Sequence, residues 1–231
     1  MSANWTRRTF FGAAGAIPCV LAQVPGASGS SPGKTVKIIG VSCSPRKDRT
    51  TAAALRVCLD AAKETGPDIE VELIDLGGLK INGDLAAGIP LAAGERDDFP
   101  KIEARMREPN VGAIIVGTPV YFSNMSSLCK AFLDRWIAFR GSFALRNKVG
   151  GAVAVGAARN GGQELTLQTI HAAMLCQDMI IVSEGRPTSR LGGILVNTQD
   201  DISKDEAGLA ATRSLGRRVA ELALLLRKAG V

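Results

Sequence analysis

The sequence predicts an α/β fold on a parallel sheet. Short apolar runs rich in Val and Ile at 36–41, 69–74, 113–117, 148–155 and 179–182 alternate with longer stretches of helical period, the pattern of strands joined by crossover helices. Aromatics are only 4% of a chain that is 46% hydrophobic; Ala, Gly, Val and Leu dominate, as expected where helices sit close on a parallel sheet. The length beyond a distinct N-terminal stretch suits one domain with an ample core.

The first strand, 36–41, is followed by a polar loop and a helix over about 50–64, stopped by Gly66-Pro67. The second strand, 69–74, leads through a Gly-rich stretch to a helix near 99–107, which Pro109-Asn110 ends. The third strand, 113–117, runs into Pro119, which fixes φ and has no amide proton. The chain is therefore expected to leave the sheet there. A helix follows at 125–139, a fourth strand at 148–155, a helix at 163–175 and a fifth strand at 179–182. The last helix, 204–228, repeats Leu209, Leu215, Val219, Leu222 and Leu226 at helical spacing.

In open α/β sheets, ligands bind beyond the carboxyl ends of the strands, so three loops are candidates. After the first strand stands Ser42-Cys43-Ser44-Pro45-Arg46-Lys47-Asp48-Arg49-Thr50-Thr51. At a helix N-terminus, free amides and the helix dipole favour an anion, and the hydroxyls of Ser42, Ser44, Thr50 and Thr51 add hydrogen bonds. The competing reading is that Ser and Thr only cap the helix. After the third strand, Pro119, Val120, Tyr121, Phe122, Ser123 and Asn124 stand where a planar cofactor rests, and a Tyr-Phe pair suits an aromatic ring. After the fourth come Ala157, Ala158, Arg159, Asn160, Gly161 and Gly162, whose glycines permit close backbone approach. The competing reading is an ordinary Asn-Gly-Gly turn.

Together these segments, spanning 36–182, resemble the NAD(P)H-dependent FMN reductase and iron-sulfur flavoprotein branch of the flavodoxin-like proteins. The resemblance implies a flavodoxin-like three-layer sandwich with a five-stranded parallel sheet of order 2-1-3-4-5. It implies FMN, its phosphate on the first loop and its ring between 119–124 and 157–162, with NAD(P)H as co-substrate. Arg46 or Arg49 adds a charge-assisted contact to the phosphate, or, as the resemblance implies for Arg46, lies over the flavin edge. Hydride acceptance belongs to the flavin, so no side chain is assigned as catalytic. Related flavoproteins commonly form homo-oligomers, with 76–100 and 183–202 as candidate contacts here. The iron-sulfur branch places clustered cysteines after the second strand, whereas residues 76–99 contain none. The chain is therefore read as an FMN-only relative. Cys43, Cys58, Cys129 and Cys176 are widely spaced without a C-x-x-C, so they are read as small buried hydrophobes and no metal site is assigned. His171 is read as a surface or packing residue, and Asp134, Arg135 and Trp136 as stabilising packing or an oligomer interface.

The formal net charge is +6 and stays basic without Arg7 and Arg8, unlike acidic one-electron flavodoxins, which disfavours a shuttle. Lys and Arg are scattered, so nucleic-acid binding is not expected. Thr6-Arg7-Arg8-Thr9-Phe10-Phe11, an apolar stretch to Ala22 and a Pro/Gly/Ser linker from Pro25 to Gly33 resemble a twin-arginine export signal. Cleavage fits after Ala22 or Ala27, and the alternative is a basic tail. Residues 1–33 are thus read as signal and linker, and 34–231 as the FMN-binding domain. The apolar run is too short for a stable membrane span. Export implies a periplasmic location, or a cytoplasmic one if the signal is unused. Free NAD(P)H is not expected in the periplasm, so another donor would serve there. The expected activity is electron transfer through FMN to a small acceptor such as a quinone, free flavin or metal ion. The alternatives are an FMN carrier between protein partners, or a relative that has lost its cofactor.

Overall fold

The computed structural model describes residues 35–186 and 188–230; the expected signal and linker lie outside them. The chain runs β1 (Val36–Ser42), α1 (Thr50–Lys63), β2 (Ile69–Asp75), a 3-10 turn (Asp84–Ala87), α2 (Phe99–Met106), β3 (Val111–Tyr121), β4 (Asn124–Met125), α3 (Ser127–Asp134), α4 (Ile137–Arg140), β5 (Val149–Gly156), α5 (Gln163–Leu175), β6 (Ile180–Ile181), β7 (Gly193–Val196) and α6 (Glu206–Lys228). The main sheet has the order β2-β1-β3-β5-β6 and its pairings are parallel. β1, β3 and β5 are nearly all buried, because helices cover both faces. On one side lies a core with Phe99, Phe132, Trp136, Phe139, Leu167 and Ile170; on the other, Leu55, Leu59, Leu215 and Val219 join α1 and α6 to the sheet.

Three expectations need correction. The fifth position of the sheet holds two strands rather than one: β6 pairs with Val149–Gly150 and β7 with Val153–Gly156, both along β5. The five-strand order 2-1-3-4-5 thus describes the path of the sheet, while seven strands occur among the described residues. Part of 183–202, named as a candidate subunit contact, is thus the mostly buried strand β7.

The third strand also does not end before Pro119, which pairs with Val155. Backbone groups alternate sides along a strand. The Gly117 carbonyl accepts the Cys43 amide at 2.7 Å on the β1 side, so Thr118 faces β5 and Pro119 faces back to where β1 has already ended at Ser42. The donor that proline lacks is one this sheet does not need.

Finally, the helix expected over 125–139 is broken. The Trp136, Ala138 and Phe139 amides donate to carbonyls three residues back, at 3.1, 3.2 and 2.9 Å, the tighter 3-10 spacing. This turns both Trp136 and Phe139 into the aromatic cluster, edge-on to Phe132 and Phe99.

α1 and α6 approach closely at Gly216, where a Cβ would lie 2.0 Å from the Cys58 carbonyl oxygen. Alanine there gains about 1 kcal/mol of helix propensity but forces two backbones apart, which costs about 1–3 kcal/mol. Gly216→Ala is expected to lower the urea midpoint despite improving the helix; an unchanged or higher midpoint contradicts this packing.

Candidate functional site

The three loops chosen from the sequence converge at the carboxyl end of the sheet. The first leaves β1 between its neighbours: the Ser42 carbonyl accepts from Leu76 N at 2.9 Å, and Cys43 N donates to Gly117 O at 2.7 Å. Ser42 is fully buried, yet its Oγ has no hydrogen-bond partner. A buried orphan hydroxyl is uncommon in a native fold and asks for an explanation. Ser44 Oγ accepts from the Arg46 amide at 3.2 Å. Asp48, at φ 55°, donates its amide to Asp75 Oδ2 at 2.7 Å, so the second strand braces the turn. Thr50 and Thr51 are the first residues of α1 and are buried. The N-cap is Arg49, and no side chain caps the helix. Capping by Ser or Thr is therefore not what these residues do here, and the first-turn amides keep their capacity for an anion.

The second loop is a hairpin. β3 and β4 pair antiparallel, Val120 with Met125 and Tyr121 with Asn124, and the two residues between, Phe122 and Ser123, have φ of 51° and 60°. That twist suits a two-residue hairpin turn, but a bulky residue such as phenylalanine seldom adopts it. The Phe122 side chain is fully exposed and Tyr121 is 46% exposed. Both line a groove of about 700 Å³ with Met125, Leu133 and Ala173.

The third loop is stiffened from within. Gly161 N donates to Gln163 Oε1 at 2.8 Å, and Gln163 Nε2 donates to the Ala158 carbonyl at 2.7 Å. Gly162 opens α5 at φ 98°. A Cβ there would lie 2.6 Å from Ser123 Cα, so only glycine lets this loop lie against the hairpin. Thr169 Oγ1 of α5 lies 3.2 Å from Asn124 Oδ1 and 2.8 Å from the Thr166 carbonyl, sharing its one proton between them, a second tie.

Ser126 joins the hairpin to the first loop. Its Oγ donates to the Cys43 carbonyl at 2.7 Å and accepts from Cys129 N at 3.1 Å, while its amide donates to Thr118 Oγ1 at 3.0 Å. Cys43 is buried below this junction, and burial holds its thiol well above the usual range. It is thus a packing residue rather than a nucleophile.

Two predicted residues point elsewhere than expected. Arg159 pairs with Asp205, the N-cap of α6, whose carboxylate also accepts from Val196 N at 2.7 Å and Gly208 N at 3.0 Å. Arg46 Nη1 donates to both oxygens of Asp200, at 2.7 and 3.0 Å. Asp200 lies in the turn after β7, and this hydrogen bond, with the positive charges of Arg46 and Arg49, pulls its carboxyl below the usual range. Nothing in the sequence pattern singled out Asp200, because the strand that delivers it was not foreseen. Asn197 begins the same turn and carries a buried Oδ1 with no partner.

The stretch after β2 is ordered by carboxylates. Asp97 pairs with Arg135 at 2.7 Å, both nearly buried, and Asp97 Oδ1 accepts from Asn82 N at 3.4 Å. Asp98 Oδ2 accepts from Lys80 N at 3.0 Å, and the Asp98 amide donates to the Lys80 carbonyl at 2.8 Å; the Lys80 amide on the carboxylate and the neighbouring Arg96 and Lys101 charges lower its carboxyl. Arg135 also lies 4.5 Å from the centre of the Phe99 ring. Among the described residues no group of three or more His, Cys, Asp or Glu is placed to hold a metal ion. His171 sits on α5, where burial lowers its basicity.

A doubly wound sheet with three joined loops at its carboxyl end is the architecture of the flavodoxin-like fold. A WrbA-like flavodoxin from Agrobacterium tumefaciens superposes with a TM-score of 0.59 at 20% identity, covering 82% of this chain and 98% of that one. Residues 36–190 match the model of the NADPH-dependent FMN reductase family, and the chain belongs to that family of FMN-binding oxidoreductases. An iron-sulfur flavoprotein of Methanocaldococcus jannaschii is 42% identical over 84% of this chain and its own full length. An NAD(P)H dehydrogenase (quinone) of Geotalea uraniireducens is 33% identical over 50% of this chain and 64% of its own length. An iron-sulfur cluster, which the first of these names implies, does not fit here: such clusters need cysteine thiolates, and 76–99 has none.

Ser126→Ala removes an N-cap and leaves the buried Cys43 carbonyl without its donor. It should cost about 1–3 kcal/mol in urea unfolding and weaken FMN binding measured by fluorescence quenching. Full retention of both would show that the hydroxyl does not join the loops.

Proposed function

We propose that the three loops form the FMN site and that the protein passes electrons from NAD(P)H, or from another donor if exported, through the flavin to a small acceptor such as a quinone, free flavin or metal ion. The observations that carry this reading are the buried, unpartnered Ser42 hydroxyl at the end of β1, where the first loop begins, and the N-terminus of α1 at that loop's other end, which no side chain caps. Donor groups held in place without partners suit a phosphate monoester. Ser42, Ser44, Thr50 and Thr51, with Arg46 or Arg49, would hold the phosphate. Backbone of Pro119 to Asn124 would run along the ring, with Ala157, Asn160, Gly161 and Gly162 on its other side. Arg159 serves that loop indirectly, by tying it to α6. When bound, FMN supplies hydride acceptance and onward electron transfer. The protein's own part is to orient it, to exclude water, and to place the positive end of α5 near the ring.

The quinone activity named for the Geotalea relative and the basic charge of this chain support two-electron turnover over shuttling between proteins. We also propose export by the twin-arginine route, from Arg7-Arg8 and the apolar and Pro/Gly/Ser segments that follow; a folded, cofactor-loaded protein suits that route. A periplasmic enzyme would draw on a donor other than free NAD(P)H. Subunit association through 76–100 belongs to the same reading.

The test is the visible spectrum of protein incubated with FMN and freed of excess, before and after anaerobic NADPH. Retained flavin, bleached quickly and turned over by added quinone, is the expected result. Retained flavin that ignores NADPH would replace the donor, slow bleaching without quinone turnover would favour the carrier, and no retained flavin would overturn the site.

A further inference from the structure

Arg46 is engaged across 154 residues of sequence by a carboxylate. The turn that delivers it is well fixed: Thr198 and Asp201 exchange backbone hydrogen bonds at 2.8 and 3.1 Å, and Gln199 and Asp200 between them have φ of 53° and 63°. The turn is anchored where the sheet ends, since Asn197 N donates to Gly156 O at 2.7 Å. Ser203 secures its far side, donating from N and Oγ to Asp201 at 2.8 and 2.6 Å. Asp200 therefore stands on the rim of the phosphate loop by construction of the β7 edge. The pair is half-exposed, with side chains 51% and 40% accessible.

A guanidinium accepts a carboxylate or a phosphate through the same donors. A phosphate monoester seated on the Ser42–Thr51 loop would bring close to two negative charges beside a third already held by Arg46. It must share that guanidinium through Nε and Nη2, or take it over. Either way two anions lean on one cation.

Resting on the FMN-site reading above, we propose that Asp200 competes with the cofactor's phosphate for Arg46, so that the turn after β7 sets how tightly the protein holds FMN. The consequence is selective. Removing the carboxylate charge should favour ligands that carry the phosphate and leave those without it unaffected.

The test compares FMN with riboflavin, which lacks the phosphate, by fluorescence titration of the full chain and its Asp200→Asn and Arg46→Met variants. Asparagine accepts a left-handed φ as readily as aspartate, so the turn is kept; an unchanged melting temperature checks this. Asp200→Asn should lower the Kd for FMN about two- to fivefold at low salt, the range for an exposed pair, with less gain at high salt and none for riboflavin. Adding it to Arg46→Met should give no gain. Weaker or unchanged FMN binding in Asp200→Asn, or an equal gain for riboflavin, overturns the competition. If Arg46→Met weakens FMN while Asp200→Asn changes nothing, the competition fails and the phosphate site stands. If Arg46→Met leaves FMN affinity untouched, Arg46 does not meet the phosphate and the competition falls with that part of the site reading.

Discussion

Ser126 carries the geometry of this molecule's carboxyl edge. One buried hydroxyl donates to the Cys43 carbonyl and accepts the Cys129 amide, which fixes the first loop, the hairpin and the start of α3 in one arrangement. The parallel sheet only brings the loops to the same end. It is this hydrogen-bonded junction, with the Gly162–Ser123 approach, that turns three neighbouring loops into one surface. Loops placed this way need little reorganisation on binding, which is where affinity is usually lost.

The stretch between β2 and α2 shows how relatives can diverge around a shared frame. The archaeal relative is named for an iron-sulfur cluster, while here the same frame holds Asp97, Asp98, Arg135 and the Phe99 ring in a polar clamp. The nearly buried Asp97–Arg135 pair is costly to break, because either charge left alone would be desolvated without a partner. It gives the loop order without thiolate chemistry.

Much of this was legible in sequence because strands buried on both faces read as continuous apolar runs. β1, β2 and β5, with α1 and α5, stand within a residue or so of their expected limits, and the flavodoxin-like sheet follows from their alternation. β7 was not legible. Its four residues, Gly193–Val196, look like the end of a loop, and they become a strand only because β5 offers them an unpaired edge. Pro119 misled for a related reason: whether a missing donor matters depends on where the neighbouring strand stops. Of the candidate residues, Ser42, Ser44, Thr50, Thr51, the 119–124 segment and Gly161–Gly162 come together. Arg159 turns to Asp205 instead. Asp200 lay outside any motif, since its role comes from a tertiary contact that no local pattern encodes.

Phosphorus NMR of the FMN-loaded protein tests whether the Ser42–Thr51 loop takes the phosphate among fixed amides and hydroxyls. A phosphate held there should keep its resonance in the dianionic position as pH falls through about 6, where the free group takes up a proton, and the resonance should move in Ser42→Ala. A resonance that titrates as in free FMN would contradict that placement, since the phosphate would then lie in solvent rather than in the loop.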